Sequence, residues 1–200
     1  MADNGMIVTR VGFGEDSHAF VRDLVSLQAE HNVSVLSADY ITLAGAKINT
    51  PLKLQANSDG DVVLHAVCRA LQTLSGREVL GEIADKRVQA GHFDSAYFVN
   101  LALQDLYAQT STVYRCWRNL YISQIALQIE AAAPKLSPYY AEMKSNIVRI
   151  FNSSPVTTEY PLTVEQVGIS AMSGEGLTAV GSGKGIAVRA LVTVCTEIEM

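Results

Sequence analysis

The stretch SDGDVVLHAVCRALQTL, residues 58–74, decides the fold class because its apolar residues recur every three or four positions. That period places them on one face of an amphipathic helix. Ser58 is the expected N-cap, and Asp59 and Asp61 fall in the first turn, where the helix dipole favours acidic side chains. We therefore predict a helix that begins near Ser58 and presents His65 on the same side as Asp61.

Strands and further helices are expected on both sides of this helix. A strand is predicted over residues 6–13, with Gly12 and Gly14 allowing the backbone to turn before Asp16. The other predicted elements are a helical insertion over about residues 20–39, a hairpin of 40–44 and 46–49 around Gly45, a helix over 94–109, a strand over 120–130, a helix from Ser137 and Pro138 to 151, a capping box of Thr163 and Gln166, and strands over 166–172 and 185–198.

Helices that alternate with strands, together with a closing pair that reads as antiparallel, predict an α/β (α+β) sandwich. In it a mixed β-sheet is covered by helices on one face. The 200 residues fit a single domain, residues 1–200, that can bury its own core. A metal in such a domain is expected to serve function more than folding.

Composition narrows the classes of function. A formal net charge of −5 argues against a broad nucleic-acid surface, which needs clustered lysine and arginine. The N-terminus lacks the pattern of a signal peptide, and no apolar run reaches the length of a membrane span. The three cysteines, Cys68, Cys116 and Cys195, form no CxxC pair, which is typical of a reducing compartment. We therefore expect a cytoplasmic protein with no membrane and no nucleic-acid partner.

Asp16, His18 and His65 are candidate ligands of one divalent metal. Side chains two apart in a strand point to the same face, so Asp16 and His18 can reach one ion, and His65 would complete the set from the helix. Two imidazoles and one carboxylate suit zinc and leave a fourth position open, as in catalytic sites. By spacing alone, a hydrogen-bonded histidine of the core or surface explains His65 as well.

The glycine-rich segment GEGLTAVGSGKG, residues 174–185, is a weaker candidate for a phosphate site. It fails the Walker pattern because Gly185 follows Lys184, and it opens a strand where a dinucleotide motif would open a helix. A flexible connection between strands remains the alternative. Ser173 and Glu175 beside it could bind phosphate and a hard cation together. Lys135 offers a further point charge for phosphate. The alternative is that Lys135 is simply a solvent-exposed residue of a turn.

Read in order, five motifs resemble the 2-C-methyl-D-erythritol 2,4-cyclodiphosphate synthases of the non-mevalonate isoprenoid pathway. They are DSH (16–18), NSDGDVVLHA (57–66), GEIA (81–84), APKL (133–136) and AMSGEGL (171–177). The resemblance runs from Val11 to about Thr193, in the order that the family has. It raises the metal triad above the alternative, since independent motifs agree.

The resemblance implies a homotrimer, with sheets facing a central axis and active sites between adjacent subunits. The implied reaction converts 4-diphosphocytidyl-2-C-methyl-D-erythritol 2-phosphate, a cytidine diphosphate substrate, into the cyclic diphosphate and CMP. Zinc, or another divalent cation, would bind Asp16, His18 and His65, and Mg²⁺ or Mn²⁺ would bind Glu175 and the diphosphate. Asn57 and Ser173 would be catalytic. The implied substrate contacts are Asp16, His18, Asn57, Ser58, Glu82, Ile83, Ala84, Ala131, Ala133, Pro134, Lys135, Leu136, Met172, Ser173, Gly174 and Glu175.

Several positions depart from the common family pattern. Asn57 stands where a histidine usually precedes SDGD, and Arg69 takes a place that is usually acidic. A cation at position 69 would either disfavour zinc or contact phosphate. The remaining departures are Glu82 for aspartate, Ala84 for glycine, Met172 and Gly174 for threonines, Ala179 and Ser182 for the phenylalanine and arginine of a central isoprenoid-diphosphate cavity, and the missing FPDTD-like loop. Two alternatives stay open: a cytidine-nucleotide-binding trimer without turnover, and a metal-dependent phosphohydrolase.

Overall fold

The structure is a computed structural model that describes residues 6–21, 40–56, 58–113, 117–154, 156 and 160–198. The predicted insertion lies outside the described residues beyond position 21, and so does Asn57. In chain order the elements are β1 (Met6–Ala19), β2 (Tyr40–Leu43), β3 (Ala46–Asn49), α1 (Val62–Ser75), α2 (Glu82–Gln89), α3 (Ser95–Val113), β4 (Trp117–Glu130), α4 (Tyr140–Asn152), β5 (Val167–Met172) and β6 (Gly185–Ile198), with 3-10 turns at Ser137–Tyr139 and Val164–Gln166.

Four of the strands form one mixed sheet in the order β1-β6-β4-β5. β6 runs antiparallel to both β1 and β4, whereas β4 and β5 are parallel. A parallel pair needs a crossover connection, and α4 lies in the segment that links β4 to β5. The predicted mixed sheet with helices is therefore confirmed.

The two faces of the sheet differ sharply in burial. Even-numbered residues of β1 face α1, whereas the odd-numbered residues Val11 and Phe13 are 58% and 49% exposed. Leu191, directly opposite Phe13 on β6, is 44% exposed. Over the described residues the helices thus cover one face, as predicted, and leave an apolar patch on the other, which we call the open face (Ile7, Val11, Phe13 and Leu191).

β1 and α1 approach each other at the level of their backbones. A Cβ atom added at Gly12 would lie 2.1 Å from the carbonyl oxygen of Ala70, and one added at Gly14 would lie 2.2 Å from that of Ala66. Real Cβ atoms do not come so close, so only glycine fits at either position. The prediction of a turn at these glycines was wrong, since β1 continues without interruption to Ala19. The glycines mark a helix contact.

The hairpin and the start of α1 are joined through Asp61. β2 and β3 form the predicted antiparallel hairpin, which turns at Ala44 and Gly45 with φ of 50° and 70°. The buried carboxylate of Asp61 accepts hydrogen bonds from the N–H groups of Ala44 (2.8 Å), Gly45 (2.7 Å) and Leu64 (3.0 Å). Asp61 is therefore the N-cap, and the prediction of Ser58 was wrong because only Asp61 lies within reach of both the hairpin and the first turn.

The observed helices begin and end within a few residues of the predicted positions, and one helix was not predicted. The segment predicted as a helix from residue 137 begins with a 3-10 turn before α4, while the capping box of Thr163 and Gln166 is present. α2 was not predicted because it is short and its inward-facing apolar residues are only Ala84 and Val88, too few to give a clear helical period. Of the helices in the described ranges, none is long and apolar enough to cross a membrane.

Gly14→Ala should destabilise the protein, because its methyl group would force α1 away from β1. Overpacking of this kind costs about 1–3 kcal/mol or more. Chemical denaturation measures the change in the free energy of unfolding. Gly168→Ala is the matched control, since a Cβ there would lie 3.9 Å from its nearest neighbour, the carbonyl oxygen of Ile125. Equal stability of the two variants would contradict the close approach.

Asp61→Asn should reveal the protonation of the buried carboxyl. Burial raises the pKa of Asp61 to about 6 from 3.8, against the three N–H donors, which act to lower it. The native state then binds the proton more tightly than the unfolded chain, so stability from this group is present below pH 3.8 and is lost as pH rises to 6. With chelator present, wild type should lose roughly 3 kcal/mol relative to the asparagine variant between pH 4 and 7. A relative gain over that range would show that the N–H donors outweigh burial.

Candidate metal centre and active site

Asp16, His18 and His65 converge where the end of β1 passes the second turn of α1. Asp16 Oδ2 lies 3.4 Å from His18 Nε2 and 3.2 Å from His65 Nδ1, and the two ring nitrogens are 3.4 Å apart. The three groups offer one ligand atom each within 4.8 Å of one another. Among the described residues they form the sole cluster of histidine, cysteine and acidic groups with this geometry.

The electrostatics keep two of these groups in the form that binds a metal. Burial acts to raise the pKa of Asp16, but the adjacent His65, with the charges of His18 and Arg69, holds it below its ordinary value. Burial lowers the pKa of His18 by more than the charge of Asp16 raises it. At neutral pH the site thus presents a carboxylate and a neutral imidazole, the forms that bind metal. Two ring nitrogens and one carboxylate oxygen fit a zinc ion with one open position.

Both histidines are held through the ring nitrogen that faces away from the cluster. His18 Nδ1 lies 3.2 Å from the carbonyl oxygen of Gln55, and His65 Nε2 lies 3.0 Å from Ser95 Oγ. Outer contacts of this kind orient metal-binding imidazoles. The rings are therefore fixed by the fold itself.

Arg69 contacts the carboxylate of the cluster from its other side. Its Nε donates to Asp16 Oδ1 at 3.3 Å, one turn beyond His65 on α1. Oδ2 remains directed at the two histidines. The guanidinium, 47% exposed, thus pairs with the oxygen of Asp16 that does not face the histidines.

A cavity of about 180 Å³ opens over the triad. Of the predicted site residues, Asp16, His18, Ser58, His65 and Ala84 line it. Glu82 and Ile83 begin the same helical turn as Ala84 but are exposed and do not line the cavity. The other lining residues are Arg69, Leu80, Gly81, Asp85, Val88 and Phe98.

The remaining predicted site residues form a second group, where β4 and β5 end. The N–H of Ala131 donates to the carbonyl of Met172 at 3.0 Å, which holds the segment that follows β4 against the end of β5. Ser173 Oγ donates to Glu175 Oε1 at 3.1 Å. Around them Lys135, Ser173 and Glu175 are exposed, Ala133 and Pro134 are partly buried, and Leu136 is buried.

The register of the sheet separates the two groups. Asp16 pairs with Val188, Val188 with Ile129, and Ile129 with Ala171, so one row crosses all four strands. Three strand spacings put Ala171, and with it the start of the second group, about 14 Å from Asp16. Glu175 is accordingly absent from the metal cluster of the described residues. One chain therefore holds the predicted site residues in two separate groups.

A buried glutamate explains why residue 174, in the second group, is a glycine. Glu130 is 5% exposed and accepts a hydrogen bond from Thr178 Oγ1, which in turn accepts one from the N–H of Gly181 at 2.8 Å. A Cβ at Gly174, where φ is +75°, would lie 2.4 Å from Glu130 Oε1. The threonine expected there from the resemblance has no room.

Ser95 and Asp59 beside the triad were not recognised as site residues from the sequence. Ser95 is fully buried at the first residue of α3 and contacts both His65 and Asp59. Its local signal, Asp-Ser before a helix, is that of any helix start. A contact between residues 30 positions apart leaves no periodic trace.

Comparison with known proteins finds relatives in both sequence and fold. The curated 2-C-methyl-D-erythritol 2,4-cyclodiphosphate synthase of Chlamydia caviae is 34% identical over 188 residues, covering 94% of this chain and 89% of the relative. That of Chlamydia felis is likewise 34% identical, with the same coverage. A solved structure titled IspF (Plasmodium falciparum) CDP complex matches with a TM-score of 0.65 at 22% identity, covering 93% of this chain and 95% of that one.

The family model agrees with these relatives. The YgbB family model matches residues 9–195, which include the triad and the second group of predicted site residues. The family resemblance seen in the five motifs, and the class of enzyme that it implied, are confirmed by the family model and by the names of the relatives. The chain belongs to the YgbB family.

Proposed function

We propose that this protein converts 4-diphosphocytidyl-2-C-methyl-D-erythritol 2-phosphate into 2-C-methyl-D-erythritol 2,4-cyclodiphosphate and CMP. The observation that carries the proposal is the convergence of Asp16, His18 and His65 beside a cavity, in a family whose curated relatives bear the name of that synthase. A solved relative titled a CDP complex supports a cytidine nucleotide as the ligand.

In this reaction the protein contributes mainly by positioning the substrate, and less by proton transfer. An oxygen of the substrate's own 2-phosphate bonds to the β-phosphorus, and the bond from that phosphorus to the bridging oxygen breaks, so that CMP leaves with the electron pair. The protein supplies no nucleophile. It must fold a polyanion back on itself and hold the attacking and leaving oxygens in line.

The triad is the proposed zinc site, and Glu175 with the diphosphate is the proposed site of Mg²⁺ or Mn²⁺. When bound, such ions supply positive charge that offsets the repulsion between the phosphates. The positive charge of these ions is important because the chain itself has a formal net charge of −5. Ser173, whose hydroxyl donates to Glu175 in the free chain, can turn that one hydrogen to a diphosphate oxygen when the substrate binds.

A homotrimer would complete the site. The triad and the second group of site residues, which we propose to be two half-sites, lie at opposite edges of the sheet in one chain. The open face presents Val11, Phe13 and Leu191 to solvent. Packing three open faces about a common axis would bury this apolar surface and bring the second half-site of one subunit towards the triad of its neighbour. Ser58 would then border the methylerythritol phosphate, 82–84 the sugar alcohol, and 131–136 the cytidine.

The activity test is incubation of the purified protein with the cytidylated substrate, Zn²⁺ and Mg²⁺. We expect CMP and the cyclic diphosphate in equal amounts. CMP without cyclic product would support a phosphohydrolase. Binding of CDP without turnover would support a nucleotide-binding homologue, for which the contact of Arg69 with Asp16 is the motivating observation.

His65→Ala should abolish bound zinc and activity together, because it leaves two ligands of three. Metal analysis by mass spectrometry and the CMP assay measure the two losses. His92→Ala is the matched control, since that exposed ring stacks on Tyr97 and lies outside the triad. Full zinc occupancy in the His65 variant would count against the site.

Ser173→Ala should lower turnover about tenfold with little effect on stability, since the two hydrogen bonds that it removes, both to Glu175, lie in an exposed loop. Steady-state kinetics with the cytidylated substrate measure the change. Ser182→Ala, in the same loop, removes a hydroxyl that bonds only to the carbonyls of Gly176 and Thr178. Equal turnover in the two variants would argue against a role for Ser173.

A further inference from the structure

We infer that Asp59 and Ser95 set the tautomer of His65, so that its Nδ1 is free to bind the metal. The three residues form a hydrogen-bonded series that we call the Ser95 relay (Asp59, Ser95 and His65). The inference rests on the proposed metal site and adds two positioning residues to it. Neither of them contacts the place of the ion.

Geometry puts Ser95 between the carboxylate and the imidazole. Ser95 is fully buried, and its Oγ lies 3.0 Å from His65 Nε2 and in short contact with Asp59 Oδ1. The N–H of Ser95 also donates to Asp59 Oδ2 at 3.0 Å. Two bonds between the same pair of residues fix the hydroxyl in place.

Proton counting then gives the direction of each bond. A serine hydroxyl has one hydrogen, and a carboxylate only accepts, so that hydrogen goes to Asp59. The hydroxyl oxygen is left to accept from His65 Nε2–H. Since a neutral imidazole carries one N–H, the lone pair is on Nδ1, which points at Asp16 and His18.

The start of the relay is itself anchored. Asp59 Oδ1 also accepts from the N–H of Asp61 at 3.3 Å, and the N–H of Asp59 donates to the carbonyl of Phe93 at 3.1 Å. The relay is therefore tied to the entrance of α1 and to the segment before α3. Its geometry is built into the packing of these two helices.

Without the hydroxyl the ring has a competing arrangement. His65 Nδ1 lies 3.2 Å from Asp16 Oδ2, so an Nδ1–H tautomer would donate to that carboxylate. This would occupy two of the three ligand atoms with a proton, which zinc would have to displace. Removing Ser95 Oγ should thus weaken metal binding without touching a ligand.

Ser95→Ala tests the relay in the full-length protein. With metal removed by chelator, ¹⁵N NMR at a pH where the ring is neutral should show Nε2–H for His65 in wild type. The variant should move towards Nδ1–H. Competition with a chromophoric chelator should show a zinc Kd raised about 10–100-fold. Ser123→Ala, which removes a hydroxyl bonded to the carbonyl of Thr193, should change neither.

Each outcome decides a separate question. An unchanged tautomer in Ser95→Ala overturns the relay, whatever the zinc affinity. A changed tautomer in a protein that binds no zinc even as wild type supports the relay and refutes the proposed metal site. If the alanine variant does not fold, Ser95→Cys retains the shape of the side chain and replaces the hydroxyl with a weak acceptor, and the same two readings apply.

Discussion

The contact between β1 and α1 is the constraint on which the site depends. Two glycines bring the backbones together, with a separation that no side chain would allow. Asp16 and His18 continue from them along the strand, and His65 and Arg69 lie on the facing side of the helix. The ligand atoms of the candidate metal site must agree within a few ångströms, and this backbone packing sets their spacing. Hydrogen bonds between Thr73 and the backbone of Phe13 support the same contact.

Polar contacts then adjust what packing brings together. Asp61 ties the hairpin to the first turn of α1, and each histidine of the triad is held through its outer nitrogen. Arg69 pairs with one oxygen of Asp16 and leaves the other directed inward. These contacts pre-organise the ligands, so little rearrangement is needed when a cation binds. The departure at Arg69 is compatible with the triad, because the guanidinium pairs with the outer oxygen.

The sequence predicted the elements that have a periodic residue pattern and the family whose motifs it carries in order. The three-and-four period of α1, the alternation in β4 and the turn at Gly45 predicted elements that are present, and the strand period placed Asp16 and His18 on one face. It failed where tertiary contacts decide: Gly12 and Gly14 fit a turn equally well until a helix is known to lie against them. The N-cap moved to Asp61 for the same reason, because its partners Ala44 and Gly45 are distant in sequence. Ser95 was not predicted as a site residue for the same reason, because its contact with His65 joins residues 30 positions apart.

The departure from the family pattern at Gly174 depends on the buried side chain of Glu130. The buried carboxylate occupies the space that a side chain at 174 would need, and the positive φ at 174 favours glycine. Restoring threonine at 174 by itself would therefore clash, and shortening Glu130 by itself would leave Thr178 without its acceptor. A longer side chain at 174 and the carboxylate at 130 therefore exclude each other, so the two positions can change only together.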